Sequence, residues 1–250
     1  MIIETGWVMS VLLVTTRLAG LLLLTPLMPF RQLPIHARFF FLLSLSAVIV
    51  SALDLSFQEP SLDGIVFSVI AEALNGLILS LSIYAVFASL SLAGFLIDSQ
   101  MGLNSTSILN PQARVQEPLT GYFLNLLAVS IFFASGGHRL FFKGIAYSLK
   151  ILPPGKLMLS TGLTPALAQF SNLFVTALMI ASPVIFCLLL LDMASGIMTR
   201  NMPQLSIYFI TLPIKIMLGL FLIYMSLTGI EPVLARMFDS IFVNWQGVLS

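Results

Sequence analysis

Apolar residues in this chain run in long blocks, and the polar residues collect in the gaps between them. Residues 7–28 form the first block, closed by the Pro-rich stretch TPLMPFRQLP. A second, residues 39–53, follows Arg38 and stops at Asp54. The third, residues 65–97, carries Glu72 and Asn75 near its start. Residues 119–134 make a fourth and lead into Ser135-Gly136-Gly137-His138, and residues 165–191 and 205–227 are the fifth and sixth. A last stretch, residues 230–245, places Ile230, Val233, Leu234, Met237, Ile241 and Trp245 at helical spacing, with Glu231, Arg236 and Asp239 opposite. That is the pattern of an amphipathic helix, which either docks on a partner or packs on the chain's own helices. The fold class expected is all-α, with helical hairpins of a membrane type.

A helix needs about 20 apolar residues to cross a bilayer. The first, fifth and sixth blocks meet that length and the second and fourth fall short. The third is too long for one simple crossing and too short for two, so it is either a bent long helix or a tight hairpin. Loop charges sharpen the problem. Arg31 and Arg38 mark one loop as cytoplasmic-like, and Asp54, Glu59 and Asp63 mark the next as outside-like. No acid occurs between Glu117 and Asp192, yet Arg139, Lys143, Lys150 and Lys156 do. A single crossing by the third block puts those bases outside, against the positive-inside rule. Helices packed into an oligomer outside ordinary bilayer topology would resolve the conflict. Ala85, Ser89 and Ala93 repeat every four residues, as do Gly76 and Ser80, a spacing that lets backbones approach closely within one chain or between subunits.

Between the third and fourth blocks residues 98–118 read DSQMGLNSTSILNPQARVQEP. Loops of this length without obvious structure tend to be lids, plugs or binding elements. Among spanning-type helices such a segment must be buried in protein or line a water-filled path. It points to a conduit.

Composition agrees with a membrane class: 58% of residues are hydrophobic, 8% are charged and the mean hydropathy is +1.05, where a soluble domain carries about 25% charge. A net charge of +1 gives no electrostatic footprint for nucleic acid. There is no phosphate-binding Gly loop, no zinc spacing, and nothing that implies a cofactor or a metal. The single Cys187 lies within VIFCLLLL and reads as a small core residue, since a reactive thiol needs an electropositive, partly exposed setting. The N-terminal segment lacks a basic leader and is interrupted by Arg17, so it is expected to be retained. No HExxH or GxSxG pattern is present, and Asp98 and Asp192 lie in no aspartyl signature; the chain reads as a non-enzyme.

Charges inside apolar segments cost roughly 2.5–3.5 kcal/mol each even on lenient insertion scales, so they face partners or water. Arg17 shares a helical face with Ser10 and Gly20. Glu72, Asn75 and Gly76 share another by three- and four-residue spacing. Lys215, Gly219 and Ser226 make a third. Either these groups form an ion or proton path, or Arg17 or Lys215 pairs with Glu72 or with an acid of another subunit; their scatter favours the structural pairing. His138 sits at a turn and offers a titrating group or a polar helix cap. Arg139, Lys143 and Lys150 line one face of a helix that Pro153-Pro154-Gly155 stops. That face suits an anionic surface, an acidic partner or bulk water.

The stretch SGIMTRNMPQLSIYFITLPIKI, residues 195–216, resembles the signature of the FliR family of flagellar export-gate proteins and their injectisome counterparts, the T subunits of type III secretion. Gly196, Arg200, Pro203, Gln204, Leu205, Phe209, Pro213 and Lys215 follow the order of that motif, with Met202 where the family usually has Ala. Glu72, Gly76 and Gly94 resemble its E…G…aG pattern. Gln100-Met101-Gly102 and Asn110-Pro111 resemble its QxG…DP loop, with Asn110 where Asp is common. Gly137-His138, Ser148, Pro153 and Ala181-Ser182-Pro183 continue the match in order. The resemblance implies a single export-gate subunit over residues 1–250 in a hetero-oligomeric helical assembly. Its partners would be the P and Q subunits (FliP and FliQ), the export switch protein FlhB and a basal-body ring in the bacterial inner membrane. Unfolded flagellar proteins would be the substrates. It further implies that loop 98–118 plugs the closed pore through Gln100, Gly102, Ser105, Ile108, Leu109, Asn110 and Pro111. Family plug loops often carry aromatics; this one has Ser105, Ile108 and Leu109, so its seal would lean more on aliphatic contacts or on the partner's gasket. Arg17, Glu72, Asn75, Gly76, Arg200, Pro203, Gln204 and Lys215 are expected to serve subunit packing or as buried polar groups. LPIKI looks more like the flagellar version than the injectisome one. A lone secondary transporter or channel is the alternative, and it would show internal inverted repeats; no matching halves are visible.

Overall fold

The computed structural model describes residues 5–23, 34–53, 62–103, 118–157, 159–201 and 207–249. The regular elements among them are all helices: α1 (Thr5–Leu23), α2 (Ile35–Leu53), α3 (Leu62–Met101), α4 (Leu119–Ala134), α5 (Gly137–Ile151), α6 (Leu159–Asn201) and α7 (Ile207–Leu249). Where the pattern leaves the third block as a bent helix or a hairpin, the structure has one uninterrupted helix. No Pro or turn cluster falls between Leu62 and Met101, so nothing in that stretch breaks the hydrogen-bond ladder. The separate helices expected at residues 205–227 and 230–245 are likewise one, α7, with Pro213 and Pro232 inside it. Proline leaves one backbone carbonyl unbonded, and apolar helices that pack on neighbours tolerate that. The sequence boundary at Asp98 is also displaced: α3 runs on through Met101, so Gln100 belongs to its last turn.

Contacts group the chain into two compact units, Met1–Ala85 with Phe132–Ser171 and Phe238–Ser250, and Val86–Ile131 with Asn172–Met237. In the first unit α1 packs on α2, and the Thr15 and Ser46 hydroxyls meet at 2.6 Å. α1 crosses α3 where Gly20 faces Ala73 and Gly76. A Cβ on Gly76 would lie 2.2 Å from the Arg17 carbonyl oxygen, so only glycine allows the two backbones this close. The C-terminal end of α7 closes the unit through Trp245, which is buried. Its indole N–H donates to the Leu79 carbonyl at 3.2 Å, and its ring fills the space over Gly144. Phe141 and Phe242 flank it with centroids at 6.0 and 5.8 Å. The last part of the amphipathic stretch is thus core of its own chain. Arg139, Lys143 and Lys150 lie on the exposed side of α5, opposite the buried Phe141, Ile145 and Leu149.

In the second unit α3 and α4 cross at Gly94 and Gly121, where a Cβ on Gly94 would lie 2.0 Å from the Gly121 nitrogen. Asn125 donates to Ser91 Oγ at 2.7 Å one turn away. Ala85, Ser89 and Ala93 are all buried inside the chain.

Four helices, α2, α3, α6 and α7, are long and apolar enough to cross a membrane, and α4 with α5 makes a fifth if that bent pair counts as one span. They differ in what covers them. In the most apolar window of α3, 67% is buried within the chain, against 6% for α7.

Candidate functional site: the root of the polar loop and a buried arginine anchor

Two polar clusters stand out among the apolar helices, one in each unit. The first surrounds Arg17, which is 2% exposed, and Glu72, at 0%. Arg17 Nε donates to Glu72 Oε2 at 2.5 Å and Nη2 donates to Oε1 at 2.9 Å, the fork geometry that a planar guanidinium offers a carboxylate. Nη1 donates to Ser148 Oγ at 3.0 Å and Nη2 also to the Leu152 carbonyl at 3.0 Å. Ser148 and Leu152 lie at the C-terminal end of α5, so the positive group meets the negative end of that helix dipole. Glu72 Oε1 also accepts the Gly155 N–H at 2.9 Å, and Asn75 Nδ2 donates to the Lys156 carbonyl at 2.7 Å. Gly155 adopts φ 94, the left-handed region open to glycine, and that turn aims its N–H at the carboxylate. Gly76 provides the close crossing just described. Arg17, Glu72, Asn75 and Gly76, singled out by pattern, are brought together here with Ser148. The polar tie fastens α1, α3, α5 and the turn after α5 to one another.

The second cluster lies where the polar loop begins and ends. Asp98, buried on α3, accepts the Thr120 backbone N–H at 3.1 Å and the Thr120 hydroxyl. Thr120 is in the first turn of α4, whose N–H groups have no partner within the helix, so the carboxylate meets a positive helix end. The two ends of the loop are thereby fastened together. Gly102, at φ 82, stops α3, with the Leu103 N–H on the Asp98 carbonyl at 3.0 Å. One residue earlier Met101 is fully buried against Gly219 of α7. Gln100 Nε2 donates to Asp192 Oδ2 of α6 at 2.9 Å, and Lys215 of α7 forms an ion pair with Asp192 Oδ1. Of the pairings the sequence leaves open, Arg17 takes Glu72, and the acid beside Lys215 is Asp192. Sequence reasoning weighed Asp98 and Asp192 only as a catalytic pair. The signal for their structural roles was available. Asp192 is the only acid between Glu117 and Glu231, and Lys215 the only base between Arg200 and Arg236.

Arg200 is exposed near the end of α6 and joins neither cluster. Ser105, Ile108, Leu109, Asn110, Pro111, Pro203 and Gln204 lie outside the described residues. Among the described residues no group of His, Cys, Asp or Glu side chains has the arrangement of a metal site.

The profile of bacterial export proteins, family 1, matches residues 8–241. The chain belongs to that family. The flagellar biosynthetic protein FliR of Bacillus subtilis (strain 168) is 29% identical over 96% of this chain and 94% of its own length. The FliR of Pectobacterium carotovorum is 33% identical over 71% of this chain and 68% of that protein. On the injectisome side, the secretion system apparatus protein SsaT of Salmonella typhimurium is 28% identical over 63% of this chain and 62% of its own length. Membership of bacterial export proteins, family 1, makes the chain a component of a type III export apparatus, and its apolar helices suit a membrane-embedded one.

Proposed function

We propose that this chain is a subunit of the flagellar export gate in the bacterial inner membrane at the basal body, and that loop 98–118 plugs the closed channel. The observation that carries the reading is the double tie at the loop root: Asp98 to Thr120, and Gln100 to Asp192, which Lys215 pairs in turn. Holding the points where a polar loop leaves and rejoins apolar helices is what a plug requires. Gln100 and Gly102 form the root, and Ser105, Ile108, Leu109, Asn110 and Pro111 are the segment that would occlude the path. The chain works with the P and Q subunits FliP and FliQ and with FlhB, passes unfolded flagellar proteins, and catalyses no reaction itself. The flagellar reading is preferred because the FliR of Bacillus subtilis aligns over 96% of this chain, whereas SsaT aligns over 63%.

The test is removal of residues 104–114 from the chain co-expressed with FliP and FliQ. The assembled complex should then leak small ions or solutes, while an intact assembly that stays tight would refute the plug. A lone transporter would instead purify as a stable single subunit.

A further inference from the structure

The two ionic clusters differ in one physical respect. Arg17 and Glu72 are sealed from water, whereas the Asp192 side chain is 38% exposed and that of Lys215 18% exposed. An exposed ion pair is weakly held and easily broken; a sealed one is not, because separating it strands a charge without solvent. On an otherwise apolar helix an ionisable group faces a water-filled path or a partner, and the group held on this one is the side chain of Gln100, at the loop root. We infer that Asp192 and Lys215 are positioning residues that act through Gln100, forming a releasable latch on the N-terminal root of the loop. The inference rests on the plug reading above.

Each carboxylate oxygen of Asp192 has its own partner, Oδ1 with Lys215 and Oδ2 with Gln100. The ammonium orients the carboxylate, and the oriented carboxylate holds the amide. Neither α6 nor the preceding loop offers a second acid, and Lys215 has no second base near it on α7. The other root has a different character: Asp98 and Thr120 are both buried. Opening by this route frees Gln100 from Asp192 while Asp98 stays on α4, so the root yields at one end only.

The experiment uses the full chain assembled with FliP and FliQ in membranes, and reads entry of a membrane-impermeant solute. Asp192→Asn and Lys215→Met should each raise entry several-fold, with unchanged assembly. Gln100→Leu, which leaves the ion pair whole, should leak as well, which a merely structural role for the pair would not predict, and it carries the test if either single variant fails to assemble. Tight single variants beside a leaking loop-trimmed complex would overturn the latch and leave the plug standing. A tight Gln100→Leu complex would overturn the latch as well. A tight loop-trimmed complex removes the plug, and the latch with it.

Discussion

Burying Arg17 demands an explanation at the level of single atoms, because a guanidinium taken out of water without partners costs several kcal/mol. Here it finds Glu72, Ser148 and the free carbonyl at the end of α5, so the donors that face protein are used. Such a pair adds little net stability over well-packed apolar residues, but breaking it is expensive. Glu72→Ala should destabilise the chain by about 3–5 kcal/mol, since the guanidinium stays buried without its counter-charge. Arg17→Met with Glu72→Ala should lose less than the two single changes added together, read from denaturant melts of the purified complex. Gly76→Ala offers a purely steric contrast. Its new methyl would meet the Arg17 carbonyl at 2.2 Å, whereas a methyl on Gly196 meets nothing within 4 Å. Gly76→Ala should markedly lower the melting temperature and Gly196→Ala should leave it unchanged. The residues of this anchor were legible because a charge in an apolar run stands out by its cost. Their partners were less so: pairing depends on which helices meet, and helical spacing along one segment does not reveal that. For Lys215 the count of acids on neighbouring segments pointed to Asp192, since both charges have few alternatives.

At the level of elements, hydrophobic length locates every helix except α5, which amphipathic spacing reveals, but it does not fix their ends. Bilayer thickness leaves α3 ambiguous, since at 40 residues it is not limited by that width. A helix covered by its own chain, as most of α3 is, can run past the width of the hydrocarbon layer. The extension of α6 from residue 191 to Asn201 brings Arg200 into helix, while residues 202–206 lie outside the described set. Pro232 lies within α7, where it removes one backbone hydrogen bond without ending the helix. The C-terminal end of α7 is the clearest case of an element held by one side chain. Trp245 is enclosed by Phe141, Phe242, Gly144 and α3. Trp245→Ala should cost about 3–5 kcal/mol through lost burial and the cavity left behind. Trp245→Phe should cost less, near the ~1 kcal/mol of the indole hydrogen bond plus a smaller void. Limited proteolysis of the C-terminal end of α7 would read both, with Trp245→Ala cleaved first.

For the molecule as a whole, the decisive quantity is apolar surface that the chain leaves uncovered. Phe209, Met217, Phe221 and Tyr224 on α7 and Met179, Phe186 and Met193 on α6 are exposed, and α7 has 6% of its most apolar window buried. A soluble monomer does not carry faces of this size, so lipid or protein must cover them. Composition alone made the need for a cover legible. It did not distinguish the two covers, because lipid and a helical partner make the same demand on side-chain polarity. Two observations favour protein. Membership of an export-apparatus family supplies other subunits, and a partly exposed ion pair at Asp192 and Lys215 sits on the same two helices, which a purely lipid-facing pair would rarely carry. A photo-crosslinking side chain in place of Met217 or Phe221 should therefore capture another polypeptide of the gate in cells that express the full apparatus. The same probe in place of Trp245, sealed within its own chain, should yield no intermolecular product. Lipid adducts alone at Met217 and Phe221 would mean that α7 faces the bilayer, and the chain would then have to function without subunits packed along its longest exposed face.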